Sequence, residues 1–250
     1  MTNIINNDIN PPQNSNFNST TSTNTNTYPK YYMLDLNLMR EKNCHNILVN
    51  HSIQPFFDNL EEILTHFIQS FPYVIGCVAW LTNPNIIKVL ETRDGVKIIV
   101  NKEEYLSTNM RISRKKYYQN IHIQYNKLMD FFSIKCLCCQ KYQYQCPKFQ
   151  KIFGQIENKD GSVITCGIVN NLSKMHHKFL IFLDENLEPK AMWTGSYNLS
   201  KTSNFSLENA LYITDTLIIA EYIKEFLAVY AYSEPFDWKS GLLFAPVKKS

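Results

Sequence analysis

No run of 18 or more apolar residues occurs in this 250-residue chain. Its longest apolar segments, residues 74–81 and 179–183, are strand-length, so the sequence predicts no transmembrane helix. The first residues lack the basic-then-apolar order of a secretory signal and the Arg-rich amphipathic pattern of a transit peptide. The expectation is a soluble cytoplasmic protein, with nuclear or peripheral-membrane placement left open. An even, dispersed cysteine set is also missing. There are seven cysteines, an odd and clustered count, which argues against a secreted disulfide framework. The sequon Asn198-Leu199-Ser200 then has no bearing on glycosylation. Carboxylates do not gather into the cage that Mg²⁺ chemistry needs, and no internal repeat is visible.

What is present suffices for one sizeable α/β domain, since 44% of the residues are hydrophobic. Residues 1–27 are Asn, Thr or Ser at 18 positions and carry one charge. Such a stretch cannot bury enough apolar surface to offset its ordering entropy. The sequence therefore predicts a disordered tail over 1–30 and a single domain over 31–250. Helical spacing follows Pro55, with Asp58 or Asn59 as the cap. A continuous apolar run at 73–81 reads as a buried strand, 85–90 as a short helix behind Pro84, and 96–100 as a strand. This strand–helix–strand order predicts a parallel crossover. A helix over 117–132, strands at 162–169, 178–183, 191–194 and 207–213, and an amphipathic helix over 216–232 complete the reading.

Charge is unevenly placed. Residues 97–178 hold 14 Lys/Arg against 5 Asp/Glu, whereas the remainder holds 11 against 17. A middle region that basic suits a polyanion, although a solvated face gives the same count. Within it, Arg111, Arg114, Lys115, Lys116 and Tyr117, followed by Tyr118, are candidates for phosphate contact and base stacking.

The chemistry concentrates in two short segments, Met175-His176-His177-Lys178 and Gly195-Ser196-Tyr197-Asn198. Residues two apart on an extended strand share a face, so His176 projects with Lys178, and Ser196 with Asn198, while His177 points away. On adjoining strands the two pairs would gather an imidazole, an ammonium, a hydroxyl and an amide, with Gly195 letting backbone approach a ligand. A phosphodiester fits that set. Lysine neutralises the non-bridging oxygens, serine and asparagine add donors, and a neutral imidazole attacks phosphorus.

His-x-Lys, an acidic residue shortly after, then Gly-Ser-x-Asn resembles the signature of the phospholipase D superfamily. The Met-His-His-Lys-Phe run is similar to its single-motif members, among them small bacterial endonucleases and the mitochondrial cardiolipin hydrolase group. Glu208, ten residues after Asn198, resembles the acidic residue that follows the motif there, and the likeness runs over about residues 55–232. It implies an α/β/α sandwich with a mixed, largely parallel central sheet flanked by helices. It also implies a phosphohistidine mechanism with no cofactor required for catalysis, in which Glu208 orients the imidazole. That chemistry needs two histidines, one attacking and one protonating the leaving oxygen. The chain has one His-x-Lys, which implies a homodimer pairing His176 from each subunit. The pattern departs at one point: Asp184 stands one residue later than the family's aspartate, and remains a candidate supporting residue with Gly195.

Cys136, Cys138, Cys139 and Cys146 form a Cys-rich insertion near 133–150. They are candidate ligands of a structural zinc, with Cys166 or a histidine as a further ligand, or else free thiols of a variable insertion. Function is expected to be a metal-independent endonuclease acting on DNA or RNA. The alternatives are a lipid phosphodiesterase of the cardiolipin-hydrolase kind and an inactive binding scaffold.

Overall fold

The computed structural model describes residues 52–106, 115–168 and 174–235. The tail expected at 1–30 lies outside them, as do Arg111, Arg114 and the side chain of Lys115. Thirteen elements are used below: β1 (Ile53–Phe56), α1 (Leu60–Gln69), β2 (Tyr73–Val78), α2 (Pro84–Leu90), β3 (Gly95–Asn101), α3 (Lys115–Tyr125), α4 (Pro147–Phe153), β4 (Val163–Cys166), β5 (Lys178–Leu183), β6 (Pro189–Gly195), β7 (Ala210–Ile213), α5 (Thr216–Ala231) and β8 (Glu234–Pro235).

One eight-stranded sheet runs in the order β1-β7-β6-β5-β2-β3-β4-β8. It is mixed, as expected, but not largely parallel. Only β2–β3 and β3–β4 pair in parallel; the other five pairings are antiparallel. The crossover through α2 accounts for the parallel β2–β3 pair. Beyond it, β5 enters beside β2 from the opposite direction, a short turn leads into β6, and a longer connection through residues 196–209 leads into β7.

Alternation along the strands sorts two cores onto the two faces. Val74, Val78, Leu180, Phe182 and Trp193 face α1, α2 and α3, where Leu64, Ile68 and Ile87 are fully buried. Ile75, Cys77, Phe179, Ile181 and Met192 face α4 and α5, against Phe149, Ile219 and Phe226. Burying each such aliphatic side chain contributes about 1.5–3 kcal/mol. The central strands are apolar on both faces, which is why they read as unbroken runs.

Three local expectations need correction. The segment 53–56 begins as an edge strand rather than a helix entry, and Pro55 is tolerated there because β1 has a partner on one side only. Asn59 stands at the N-cap of α1 with φ 53° and makes no side-chain cap bond. The helix expected over 117–132 ends at Tyr125. Downstream, Val96 N–H donates to Met129 O at 2.7 Å, and fully buried Lys97 binds Asp130 at 3.0 Å and Gly161 O at 2.8 Å. This tertiary pairing outweighs local helix propensity. No helix among the described residues is long and apolar enough to cross a membrane.

Candidate active site

β2 ends where β5 begins. Val78 pairs with Lys178, and Ala79 N–H donates to His177 O at 2.8 Å. His176 therefore emerges at the carboxyl end of β2, where the Trp80 ring meets it edge-on at 5.4 Å. Lys178 Nζ lies 3.0 Å from Nδ1 and 3.3 Å from Nε2 of His176, and donates to the His176 carbonyl at 2.7 Å. Burial, then Lys178, Lys174 and His177, hold the imidazole pKa below its ordinary value. That direction favours the neutral imidazole.

Two residues that the sequence reading passed over set this arrangement. Asn101, almost fully buried at the end of β3, accepts from Met175 N–H at 3.0 Å. Its own Nδ2 donates to Glu103 at 2.7 Å. Glu103 also accepts from Trp80 Nε1 at 3.3 Å and pairs with Lys174 at 3.4 Å. One carboxylate thus ties together the backbone before His176, the ring beside it and a neighbouring cation. No motif marks these residues in the sequence; only the alignment of β2 and β3 ends brings them together.

The second pair sits at the end of β6. Ser196 N–H donates to both Asn209 O (3.0 Å) and Asn209 Oδ1 (3.1 Å), and Asn209 N–H donates to Ser196 Oγ at 3.0 Å. The Ser196 hydroxyl donates to the Glu208 carboxylate. Tyr197 is buried in the core, so Ser196 and Asn198 turn away from it, as alternation requires. The buried Oδ1 of Asn198 has no hydrogen-bond partner. Burial lowers the Lys178 pKa while Glu208 raises it, which puts the carboxylate within electrostatic reach of the ammonium. Glu208 bonds Ser196, not His176, so it orients the hydroxyl and tempers Lys178. Gly195 is needed for a reason other than ligand approach: a Cβ there would run into the Asn209 and Ala210 backbone of the next strand.

Other candidates fall elsewhere. Asp184 caps the β5–β6 turn, accepting from Asn186 N–H (2.8 Å) and Glu188 N–H (2.9 Å). At about 3.3 Å per residue, it lies a whole strand away from Lys178. His177 faces α5 and donates to Glu225 at 2.8 Å. His122 is buried against Tyr105 O at 3.0 Å. Lys116 is exposed, but the Tyr117 hydroxyl donates to Thr82 O, and Tyr118 stacks on Tyr105 at 4.8 Å. The Tyr117 hydroxyl therefore holds α3 against the segment after Trp80. A cavity of about 760 Å³ is lined by Asp58, Glu61, Glu62, Asn85 and Asn204. Its acidity disfavours a phosphodiester, and His176 is not part of it. Cys136, Cys138, Cys139 and Cys146 do converge, their sulfurs within 4.8 Å of one another. Cys166 stands apart, at the end of β4.

The chain is 58% identical to an uncharacterized protein, L381, of Acanthamoeba polyphaga mimivirus over 221 residues, covering 87% of this chain and 79% of the relative. Among solved structures, it is similar to the phospholipase D family member Nuc of Salmonella typhimurium, with 15% identity, coverage of 73% and 96%, and a TM-score of 0.43. NucT of Helicobacter pylori gives 16% identity, coverage of 74% and 98%, and a TM-score of 0.45. The family described as "Cardiolipin synthase, PLD-like domain" matches residues 70–230, over half of the sequence and both site segments, and the chain accordingly belongs to the phospholipase D superfamily.

Proposed function

We propose that this phospholipase D-type phosphodiesterase is an endonuclease, cutting DNA or RNA through a phosphohistidine on His176 in a site completed by a second copy of the chain. The observation that carries the reading is the exposed imidazole of His176 with Lys178 Nζ 3.0 Å from its Nδ1. A ring nitrogen of His176 attacks phosphorus and the leaving oxygen departs with a proton from the second subunit's imidazolium. Water then attacks the phosphohistidine, the now neutral second imidazole takes its proton, and the P–N bond breaks. Lys178, Ser196 and Asn198 hold the non-bridging oxygens, so the developing charge is met by the chain's own donors, and no cofactor is called on.

Nucleic acid is favoured over lipid by the cations around this edge: Lys174 and Lys178 beside His176, and Lys116 at the start of α3. A competing reading, a lipid phosphodiester, is favoured by the description of the matching family, which names cardiolipin synthase. Incubating the full chain with single-stranded DNA, RNA and cardiolipin vesicles in EDTA separates them, with folding followed by circular dichroism. Nucleic-acid cleavage that His176→Ala abolishes is the expected result. Turnover of lipid alone would overturn the nuclease, and cleavage untouched by His176→Ala would overturn the site.

A further inference from the structure

The four cysteines of the insertion take no part in the phosphodiester chemistry, yet they converge. The Sγ separations are 2.9 Å for Cys136–Cys138, 3.3 Å for Cys136–Cys146 and 3.5 Å for Cys138–Cys146, and all four atoms lie within 4.8 Å. A zinc tetrahedron with Zn–S bonds of about 2.3 Å has edges of about 3.8 Å, inside that range. A disulfide needs sulfurs at about 2.05 Å, and all four are free thiols.

The backbone is shaped to bring them together. Cys136 N–H donates to Lys141 O at 2.8 Å, and Gln140 N–H donates to Cys136 O at 2.9 Å. With Gln140 at φ 59°, residues 136–141 fold into a tight hairpin that turns Cys138 and Cys139 back on Cys136. Cys146 arrives from the other side, immediately before α4.

The surroundings explain what a metal would do there. Between α3 and β4 the chain runs through residues 126–162 with only two 3₁₀ turns and one seven-residue helix. Long connections so poor in regular structure need another anchor. Cys136 and Cys146 are buried against Phe131, Phe132 and Phe149, which pack under α5.

We propose that Cys136, Cys138, Cys139 and Cys146 bind one zinc ion as four thiolates, clamping the 136–141 hairpin to the start of α4 within the 126–162 connection. Four protein ligands leave no open position, so the ion is structural. It lies near Tyr73 at the start of β2, the opposite end of that strand from His176.

The test is metal analysis of the full chain expressed with zinc and purified without chelator. One zinc per chain is expected. Replacing it with cobalt should give the intense thiolate-to-cobalt charge-transfer bands and tetrahedral visible bands of a four-sulfur site. Cys138→Ser, at an exposed position, should lose the four-sulfur spectrum and bind zinc more weakly, while Cys77→Ser and Cys166→Ser keep one zinc. Background metal in wild type with no cobalt spectrum overturns the proposal, as does iron in place of zinc, or zinc that survives Cys138→Ser and Cys146→Ser undiminished. The wild-type cobalt spectrum decides even if Cys146→Ser fails to fold.

Discussion

Replacing Gly195 by alanine tests the join that holds Ser196 in place. An alanine Cβ there would stand 2.7 Å from Ala210 Cα and 2.9 Å from the Asn209 carbonyl carbon, with the Asn209 oxygen nearer still. Carbon atoms rest about 3.5–4.0 Å apart, so the ends of β6 and β7 must part by roughly 1 Å. Every clashing atom is backbone, so no rotamer change relieves it. Parting the strands stretches the Ser196 N–H bonds to Asn209 and the Asn209 N–H bond to Ser196 Oγ. Overpacking of this kind costs about 1–3 kcal/mol, and a weakened hydrogen bond adds about 0.5–1.5 kcal/mol. A total of about 3 kcal/mol lowers Tm by roughly 6–12 °C in a domain of this size. The Ser196 hydroxyl and Glu208 shift with the strand, and a misplacement near 1 Å lowers kcat on the order of 10²-fold. Calorimetry gives the first quantity; turnover of a diester substrate, well below the melting range, gives the second. Ser196→Ala is the control, because it removes the hydroxyl and its bonds to Glu208 and Asn209 but leaves the strands together, lowering kcat with a smaller fall in Tm than Gly195→Ala gives. A Gly195→Ala protein that melts and turns over like wild type would refute the close approach and the positioning role built on it.

Five further outcomes are expected. His176 must be neutral in one copy to attack and protonated in the other to serve as acid, so kcat/KM should follow a bell whose optimum lies below the ordinary imidazole pKa, because that pKa is held down. Lys174→Gln removes a positive charge that lowers this pKa, so the acid limb should move to higher pH; a limb displaced toward acid contradicts the assignment. Asp184→Ala should lose about 1–2 kcal/mol in urea denaturation through its two turn bonds, with kcat/KM unchanged, because Asp184 lies at the far end of β5. Tyr117→Phe should cost about 1 kcal/mol by freeing the Thr82 carbonyl, read in the same urea denaturation. Co-expression of wild-type and His176→Ala chains in equal amounts should leave about a quarter of the wild-type activity per dimer if one site needs both copies of the histidine, whereas self-sufficient subunits would leave about half.

The site residues were legible because strand alternation is a strict rule over short distances. Lys178 starts β5 and Tyr197 is buried, so the side chains of His176, Lys178, Ser196 and Asn198 fall where a period of two puts them. The buried strands were equally legible, since two covered faces leave an unbroken apolar run. Sheet order was not. A crossover announces parallel pairing of its own two strands, but nothing local to β5 says that it will lie between β2 and β6. Nor was the hydroxyl contact of Tyr117 legible: a tyrosine beside a basic run has the composition of a stacking platform, and only the fold shows its hydroxyl bonded to Thr82 O.

The hidden pairing is also what assembles the chemistry. Because β5 runs antiparallel between β2 and β6, its first residue comes level with the carboxyl ends of both neighbours. That brings Trp80 from one side and Ser196 from the other to the same sheet edge as His176 and Lys178. A parallel β5 would have put its amino end at the opposite edge, about 20 Å away at 3.3 Å per residue, and Asp184 rather than His176 would face Trp80. The same topology limits what one chain supplies. Among the described histidines, His177 is turned by alternation toward Glu225, His122 is buried under Tyr105, and His66 ends α1. Each is fixed by the elements that build the sheet, so none of them reaches the Trp80 edge without dismantling the fold. A second imidazole there must come from outside these elements, and in the two-copy site proposed above a two-fold axis through the His176 edge would supply it from an identical surface.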